Sequence, residues 1–329
     1  MRNARIISTG AYAPERVVTN EWFNEWFKED VDTWLRNNVQ IFERRWCAED
    51  ESTVDLCYHA ANQAMERAGI TSKDLDLIIV ATDTPEYVSP STASVLQHKL
   101  GANQAGTFDI NTACAGFVTA LDIGSKYIIA DSQYKRILVI GAYAMSKYIN
   151  MEDKKTATLF ADGAGAVILE ATEEEGTGFL ASELITEGQY HDWMGIYGGG
   201  TYKPITEEVI TQHDHQLKFV KKFPKELNPE IWSKMANNLC KKTGEDIHNV
   251  QQFFITQINI QSIFETMDRL GVAREKAHTI MHYYGYTGSA CIPMALNDAW
   301  EKKKFEKGDL LFFIGSGGGL AFASCAFRF

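Results

Sequence analysis

The chain has 329 residues, 45% of them hydrophobic and 23% charged, with a net charge of -11 at pH 7. That length suits one large domain or two similar halves, and the composition is that of a globular protein. Short basic clusters occur, at Lys221–Lys222 and Lys302–Lys304, but not the extended Lys/Arg stripe that would neutralise phosphates, so a nucleic-acid scaffold is not expected.

The N-terminal MRNARIISTGAYAP lacks the long apolar run of a signal peptide. No stretch reads as a membrane span, and the expected compartment is the cytoplasm. Ala4–Ser8 reads as a strand before a Gly10/Pro14 turn. Asn20–Lys28 and Asp32–Asn37 read as short helices, the first with paired aromatics. Glu43–Trp46 (ERRW) is charged and expected to be exposed. Over Thr53–Ala68, Leu56, Ala60, Ala61, Ala64 and Ala68 recur at three- and four-residue steps, which predicts an amphipathic helix closed by Gly69. Leu75–Ala81 is an apolar run that predicts a buried strand. The loop Thr82–Pro90 follows, then a helix over Ser91–Leu100 stopped by Gly101.

The stretch Thr107–Ala130 carries the chemistry. Phe108 and Ile110 predict a strand; Phe117, Ala120, Leu121, Gly124 and Ile128 predict a helix. Cys114 falls between them, in the expected first turn of the helix, among the small residues Thr112, Ala113, Ala115 and Gly116. Unpaired N–H groups and the positive dipole end at such a place lower a thiol pKa. An inert core cysteine fits the same pattern, because free cysteine is among the most buried residue types. The other cysteines (Cys47, Cys57, Cys240, Cys291 and Cys325) form no CxxC pair, which speaks against structural zinc and against a disulfide framework.

Arg136–Gly141 predicts a further buried strand, and Thr158–Glu170 a glycine-rich turn feeding another. Strand and helix thus alternate through residues 1–170, the pattern of an α/β layer fold. Residues 171–329 repeat the order. Gly178–Ile185 is strand-like, and Thr186–Val220 is a polar, glycine-bearing segment read as a substrate-facing insertion. A helix over Pro229–Thr243, a strand over Val250–Ile255 and a helix over Asn259–Leu270 come next. The remainder reads as a strand at His278–Tyr283, a helix at Ser289–Lys304, and strands Leu310–Ile314 and Ala321–Phe327 joined by Gly315–Gly319. Element order therefore predicts an internal duplication.

Six segments resemble one family when taken together. They are NTACAGF (111–117), FADGAGAVIL (160–169), GYTGSACIPMAL (285–296), GDLLFFIGSGGGLAFASCAF (308–327), DTWLRNNVQIFERRW (32–46) and STVDLCYHAANQAMERAGI (52–70). The chain resembles β-ketoacyl-acyl-carrier-protein synthase III and its thiolase-like relatives over essentially its whole length. The resemblance implies an α/β, duplicated five-layer αβαβα sandwich, usually a homodimer. It implies that Cys114 takes an acyl group from acyl-CoA or acyl carrier protein, with its own N–H and that of the Gly317–Gly318 loop forming an oxyanion hole. No cofactor beyond the thioester substrate is implied.

The resemblance breaks at the catalytic text. The family histidine stands in PHQAN, where this chain has Ile255-Thr256-Gln257-Ile258-Asn259; the family asparagine stands in GNTSAAS, where it has Gly285-Tyr286-Thr287-Gly288-Ser289. Thr256 and Tyr286 thus hold the places of the histidine and the asparagine that stabilise a malonyl enolate. His282, four residues before Tyr286, is the candidate substitute base, against the plain alternative of a histidine with no chemical role. By the same resemblance Trp34 stacks on the CoA adenine, while Asn38 and Lys154 stand where arginines hold CoA. Tyr87 and Ser89 lie in the loop that caps the partner subunit's acyl pocket. His213 and His215 flank Asp214 without an evident third ligand, so no metal site is expected. The leading expectation is an acyltransferase that loads Cys114 and passes the acyl group to a hydroxyl, amine or unusual carbon nucleophile. The alternatives are a decarboxylative condensing enzyme with a nonstandard triad, or a non-catalytic subunit paired in a heterodimer with a complete paralogue.

Overall fold

The computed structural model describes residues 2–329. Its first half runs β1 (Asn3–Tyr12), β2 (Arg16–Thr19), α1 (Asn20–Phe27), α2 (Asp32–Asn38), β3 (Glu43–Trp46), α3 (Thr53–Ala68), β4 (Leu77–Ala81), α4 (Thr92–Leu100), β5 (Gly106–Ile110), α5 (Gly116–Ala130), β6 (Arg136–Ala144), α6 (Lys154–Ala157) and β7 (Asp162–Thr172). The second half runs β8 (Gly178–Thr186), β9 (Met194–Gly195), α7 (Glu207–Thr211), β10 (Lys218–Phe219), α8 (Leu227–Thr243), β11 (Val250–Ile255), α9 (Ile260–Leu270), α10 (Met281–Tyr284), α11 (Cys291–Glu301), β12 (Leu310–Gly317) and β13 (Ala321–Arg328).

Each half builds a mixed sheet, and the two sheets share an order. The first reads β1-β7-β6-β4-β5, antiparallel at β1/β7 and β7/β6, parallel at β6/β4 and β4/β5. The second reads β8-β13-β12-β11, antiparallel at β8/β13 and β13/β12, parallel at β12/β11. Its fifth place is reduced to a single parallel bridge between Phe253 and Ala277. The predicted strand at His278–Tyr283 is therefore corrected to an irregular segment entering helix α10. Gln257 accounts for the change. Its side-chain oxygen accepts from Ile280 N at 2.8 Å and its amide donates to the His278 carbonyl at 3.0 Å, which takes up the backbone groups a strand would have paired.

Helices α3 and α4 cover the outer face of the first sheet, α5 and α11 lie between the sheets, and α8 covers the second sheet with α9 beside it. The strand residues alternate to match. Along β4, Leu77, Ile79 and Ala81 join the core that holds α5, while Ile78 and Val80 join the cluster under α3 with Leu56, Ala60 and Ala64. Ser52 and Asp55 cap the start of α3 reciprocally, and Gly69 ends it at φ 67°. The stretch Ala113–Ala130 has the length and hydropathy to cross a membrane, but 67% of it is buried inside the protein, as befits a helix packed between two sheets.

The ERRW segment is not an exposed loop. It forms β3, paired with β2, and buries Arg44 and Trp46. The Arg44 guanidinium donates to Val18 O at 3.0 Å, Asn20 Oδ1 at 2.7 Å and Thr158 O at 2.7 Å, and stands 4.9 Å from the Phe23 ring. Its hydrogen bonds and the aromatic face offset the cost of removing the cation from water.

Candidate active site

Strand β5 ends at Ile110 and helix α5 starts at Gly116, so five residues must turn the chain from sheet to helix. The Asn111 side chain accepts from Ala113 N at 2.9 Å, Ala115 N donates to Thr112 O at 3.1 Å, and Gly116 N to Ala113 O at 2.9 Å. Ala113 takes φ 45°, a left-handed conformation costly for a residue with a Cβ. Cys114 therefore sits on a strained turn two residues ahead of the helix, not in its first turn as the sequence pattern predicts. The terminal glycine loop closes against it. A Cβ on Gly317 would lie 2.5 Å from Cys114 N and 2.6 Å from Thr112 O, so only glycine permits this approach of two backbones.

Cys114, Thr256, Tyr286, Gly317 and Gly318 line one narrow cavity of about 80 Å³, with Met194 and Phe219 across from them. The last two come from the Thr186–Val220 segment, which thus faces the site. Tyr286 is buried and lines the cavity beside Cys114, where its hydroxyl works against the rise that burial imposes on the thiol pKa. Two backbone bonds fix that residue: Tyr286 N donates to Leu159 O and Ala161 N to Tyr286 O, both at 2.9 Å. Its ring packs 5.4 Å from that of Phe160.

Thr256 is held differently. Its hydroxyl accepts from Ser316 N at 2.9 Å and lies 3.3 Å from Ser316 O as donor. Both functions of the hydroxyl are thus taken by the strand that leads into the glycine loop. His282 does not reach the cavity. It lies on α10, with its ring 6.2 Å from that of Phe42 and 4.8 Å from that of Tyr283, and partial burial lowers its pKa. The expected substitute base is therefore not at Cys114.

Electrostatics also depart from the sequence expectation. Burial pushes the Cys114 thiol well above its ordinary range; the charge of Asp83 adds to this and the Tyr286 hydroxyl opposes it. Desolvation outweighs the helix end because the thiol is enclosed while α5 begins two residues later. Burial likewise raises Tyr286, which holds its phenol protonated as a donor.

A second cleft, of about 360 Å³, lies at the surface between α2 and α6. Trp34, 54% exposed, lines it with Lys154 and Lys155. Lys154 is paired with Glu29. The Lys155 ammonium sits 4.1 Å from the Phe219 ring centroid, and burial followed by the nearby Lys222 charge lowers its pKa. Phe219 thus joins this cleft to the Cys114 cavity. Asn38 is not part of it; its amide donates to Trp34 O of its own helix at 2.9 Å. Tyr87 and Ser89 border an open cleft of about 470 Å³ along β5, with Thr82 and Asn111, and do not enter the Cys114 cavity of their own chain. At the His213/His215 pair, Asp214 is held by Lys203 and Lys218.

Three supporting residues escaped sequence reasoning. Arg44 looked like surface charge because ERRW has no apolar majority. Asp162 accepts from Cys47 N at 2.7 Å and Ser146 N at 2.8 Å, fixing the FADG turn beside Tyr286; a carboxylate inside a glycine-rich apolar run was the available signal. Asp83 directly follows the strand β4–Thr82 and was passed over as loop.

The comparisons with known proteins agree with this geometry. A family model described as 3-oxoacyl-[acyl-carrier-protein (ACP)] synthase III matches residues 108–188, and its C-terminal counterpart matches residues 240–329. The chain is 36% identical over 330 residues to the β-ketoacyl-[acyl-carrier-protein] synthase III of Natranaerobius thermophilus, covering 100% of both chains. It is 37% identical over 335 residues to that of Clostridium perfringens, again covering 100% of both. Among solved structures it resembles 3-oxoacyl-[acyl-carrier-protein] synthase III from Aquifex aeolicus, with a TM-score of 0.88 and 31% identity over 99% of this chain and 100% of that one. The duplicated sheets, the cysteine on its turn and the full-length likeness together make this chain a member of the 3-oxoacyl-[acyl-carrier-protein] synthase III family.

Proposed function

We propose that this chain is an acyltransferase of the ketoacyl synthase III type that takes an acyl group from acyl-CoA or acyl carrier protein onto Cys114. The observation that carries the reading is Cys114 on its turn with Tyr286 beside it in one cavity, closed by the Gly317 backbone. Tyr286 donates to the developing thiolate as it attacks the thioester carbonyl. The carbonyl electrons move onto oxygen, where backbone N–H groups of Cys114 and the glycine loop receive them. Collapse breaks the carbon–sulfur bond of the donor and expels CoA or carrier thiolate, which takes up a proton. The thioester enters past Trp34, Lys154 and Lys155, with Phe219 between that mouth and the thiol.

Thr256 and Tyr286 stand in the places of the family histidine and asparagine. A malonyl enolate needs two donors on one oxygen. Thr256 already spends its hydroxyl on Ser316, and Tyr286 serves Cys114. The acceptor is therefore a nucleophile that needs little activation, a hydroxyl, amine or stabilised carbanion. It attacks the Cys114 thioester and releases the thiolate. Membership of a synthase family favours a second reading, decarboxylative condensation with a nonstandard triad. The working unit is a homodimer built on the free edge of β5 and the exposed Tyr87–Val88 loop beside it.

The test is intact mass spectrometry after incubation with a panel of acyl-CoAs and acyl-carrier proteins, with Cys114→Ala as control. An adduct that the control lacks supports the acyl-enzyme; no adduct from any donor refutes it. Carbon dioxide release from malonyl-carrier protein by the loaded enzyme selects the condensing reading.

A further inference from the structure

The first turn of α8 borders the Cys114 cavity, and it brings an amide there. Positions 228, 232, 235, 236 and 239 recur at helical steps along one face of this helix. Trp232, Met235, Ala236 and Leu239 are buried and dock the helix on its sheet. Asn228 is the remaining member, so a polar group opens an otherwise apolar inward stripe. The turn that carries it is fixed. Leu227 N donates to Pro224 O at 3.3 Å, Glu230 N donates to Glu226 O at 3.0 Å, and Pro229 is buried.

Asn228 shares the cavity of Cys114 with the apolar side chains of Met194, Phe219, Phe223, Ile258 and Leu320. Among the described residues none hydrogen-bonds its side-chain amide, whereas Thr256 spends its hydroxyl on Ser316. Of the described side chains that line the cavity, Asn228 is the one amide, with an acceptor at Oδ1 and donors on a separate atom, Nδ2. The acyl-transfer steps above give it no task. An apolar cavity with a free amide suits an apolar guest with one polar group. An amide oxygen accepts a hydrogen bond but does not take up the proton, so the proton that the acceptor loses must go elsewhere. The departing Cys114 sulfur is the group that takes it, because burial favours the protonated thiol. A neutral primary amine has two N–H groups, one to rest on Asn228 and one whose proton goes to sulfur. A hydroxyl has a single proton and cannot serve both. Burial also disfavours an ammonium, so the amine that enters is neutral.

Resting on the acyl-enzyme reading, we propose that Asn228 is the specificity-determining residue for the acyl acceptor, and that this acceptor is an apolar primary amine whose N–H donates to Asn228 Oδ1 beside the Cys114 thioester. The nitrogen lone pair attacks the thioester carbonyl and a carbon–nitrogen bond forms. The carbon–sulfur bond to Cys114 breaks, its electron pair leaves with sulfur, and one amine proton passes to that sulfur. The N–H on Asn228 stays with the product, a secondary amide, and the free thiol is restored.

The test loads Cys114 from an acyl-CoA or acyl-carrier protein, removes the donor, and adds 2-phenylethylamine, 2-phenylethanol or ethanolamine at one fixed pH. Loss of the adduct and appearance of the product are read by mass for the unaltered protein, Asn228→Leu and Asn228→Gln. The expected result is that 2-phenylethylamine discharges the adduct fastest and yields its amide. Its rate relative to 2-phenylethanol should fall about tenfold or more in Asn228→Leu, which is close in shape but has no acceptor, and be partly kept in Asn228→Gln. A ratio unchanged in Asn228→Leu, a ratio that falls as far in Asn228→Gln, ethanolamine as fast as 2-phenylethylamine, or an adduct that neither amine discharges overturns the inference while leaving the acyl-enzyme intact. Where Asn228→Leu does not load, Asn228→Ala is read in its place; where neither loads, Asn228 serves the donor and the inference is overturned. Failure of the unaltered protein to load from any donor overturns the acyl-enzyme reading and this one with it.

Discussion

Replacing Tyr286 by phenylalanine removes one hydroxyl from a ring that backbone bonds and Phe160 hold in place. The fold should survive, and the change should fall on Cys114. That hydroxyl opposes the burial that raises the thiol. A hydrogen bond to a charged acceptor contributes about 1.5–3 kcal/mol. Its loss disfavours the thiolate by that amount and moves the Cys114 pKa further up. The thiolate fraction at a pH below the midpoint then falls about 10- to 100-fold. A more basic thiolate is the better nucleophile, with a Brønsted slope of about 0.4–0.5, so the net alkylation rate falls about 3- to 15-fold. The assay is iodoacetamide alkylation of Cys114 across pH, followed by peptide mass spectrometry, because Cys240 is also partly exposed. Both proteins should show rates rising with pH, with the variant's curve displaced downward or to higher pH. Superimposable curves would refute the assignment of Tyr286 as the donor to Cys114.

Other changes separate chemistry from scaffolding. Gly317→Ala places a Cβ against Cys114 N and Thr112 O, displacing the loop from the thiol; acyl-adduct formation should slow about 100-fold, read by intact mass. Thr256→Val strands Ser316 N in the interior, and urea unfolding should show a loss of about 1–3 kcal/mol. Arg44→Ala leaves Val18 O, Asn20 and Thr158 O without their donor and opens a cavity, and should cost about 3–5 kcal/mol in the same measurement. Asp83 sets a pH dependence. Burial raises its carboxyl to about 6. The ordinary value is about 3.9, so between about pH 4 and 6 the folded state holds a proton that the unfolded state has lost. Stability from this group is thus present below pH 4 and is lost as pH rises to 6. Asp83→Asn, which does not titrate, should gain up to about 3 kcal/mol relative to the unaltered protein between pH 4 and pH 7 in chemical denaturation.

Regular elements were legible where a period and a stop signal coincided. The α3 stripe of Leu56, Ala60 and Ala64 ended by Gly69 is one case, and the β4 run before Thr82 is another. The duplication was legible in element order because both halves obey one sheet topology. The errors share a cause: a side chain far along the chain decided the local structure. Glu43–Trp46 reads as surface until Val18, Asn20 and Thr158 supply acceptors for Arg44. His278–Tyr283 reads as a strand until Gln257 takes its backbone groups. At the site, motif spacing brought Cys114, Thr256, Tyr286 and Gly318 together, but it could not give the orientation of His282, which depended on the α10 turn. Nor did a helix start predict the charge state of Cys114, because burial is a property of the closed cavity.

Thr256 and Tyr286 have different physical consequences at the site. Thr256 acts as a clamp: its hydroxyl bonds Ser316, and Ser316 leads directly to the Gly317 backbone at Cys114. Tyr286 sets a phenol hydroxyl in the Cys114 cavity, where it opposes the rise that burial causes in the thiol pKa. On the proposed function, the first would support acyl transfer by fixing the oxyanion loop and the second by favouring the thiolate, and a Thr256 hydroxyl engaged with Ser316 is not free to serve an enolate. With His282 away from the cavity and Thr256 so engaged, the proposed reaction depends on an acceptor that is already nucleophilic.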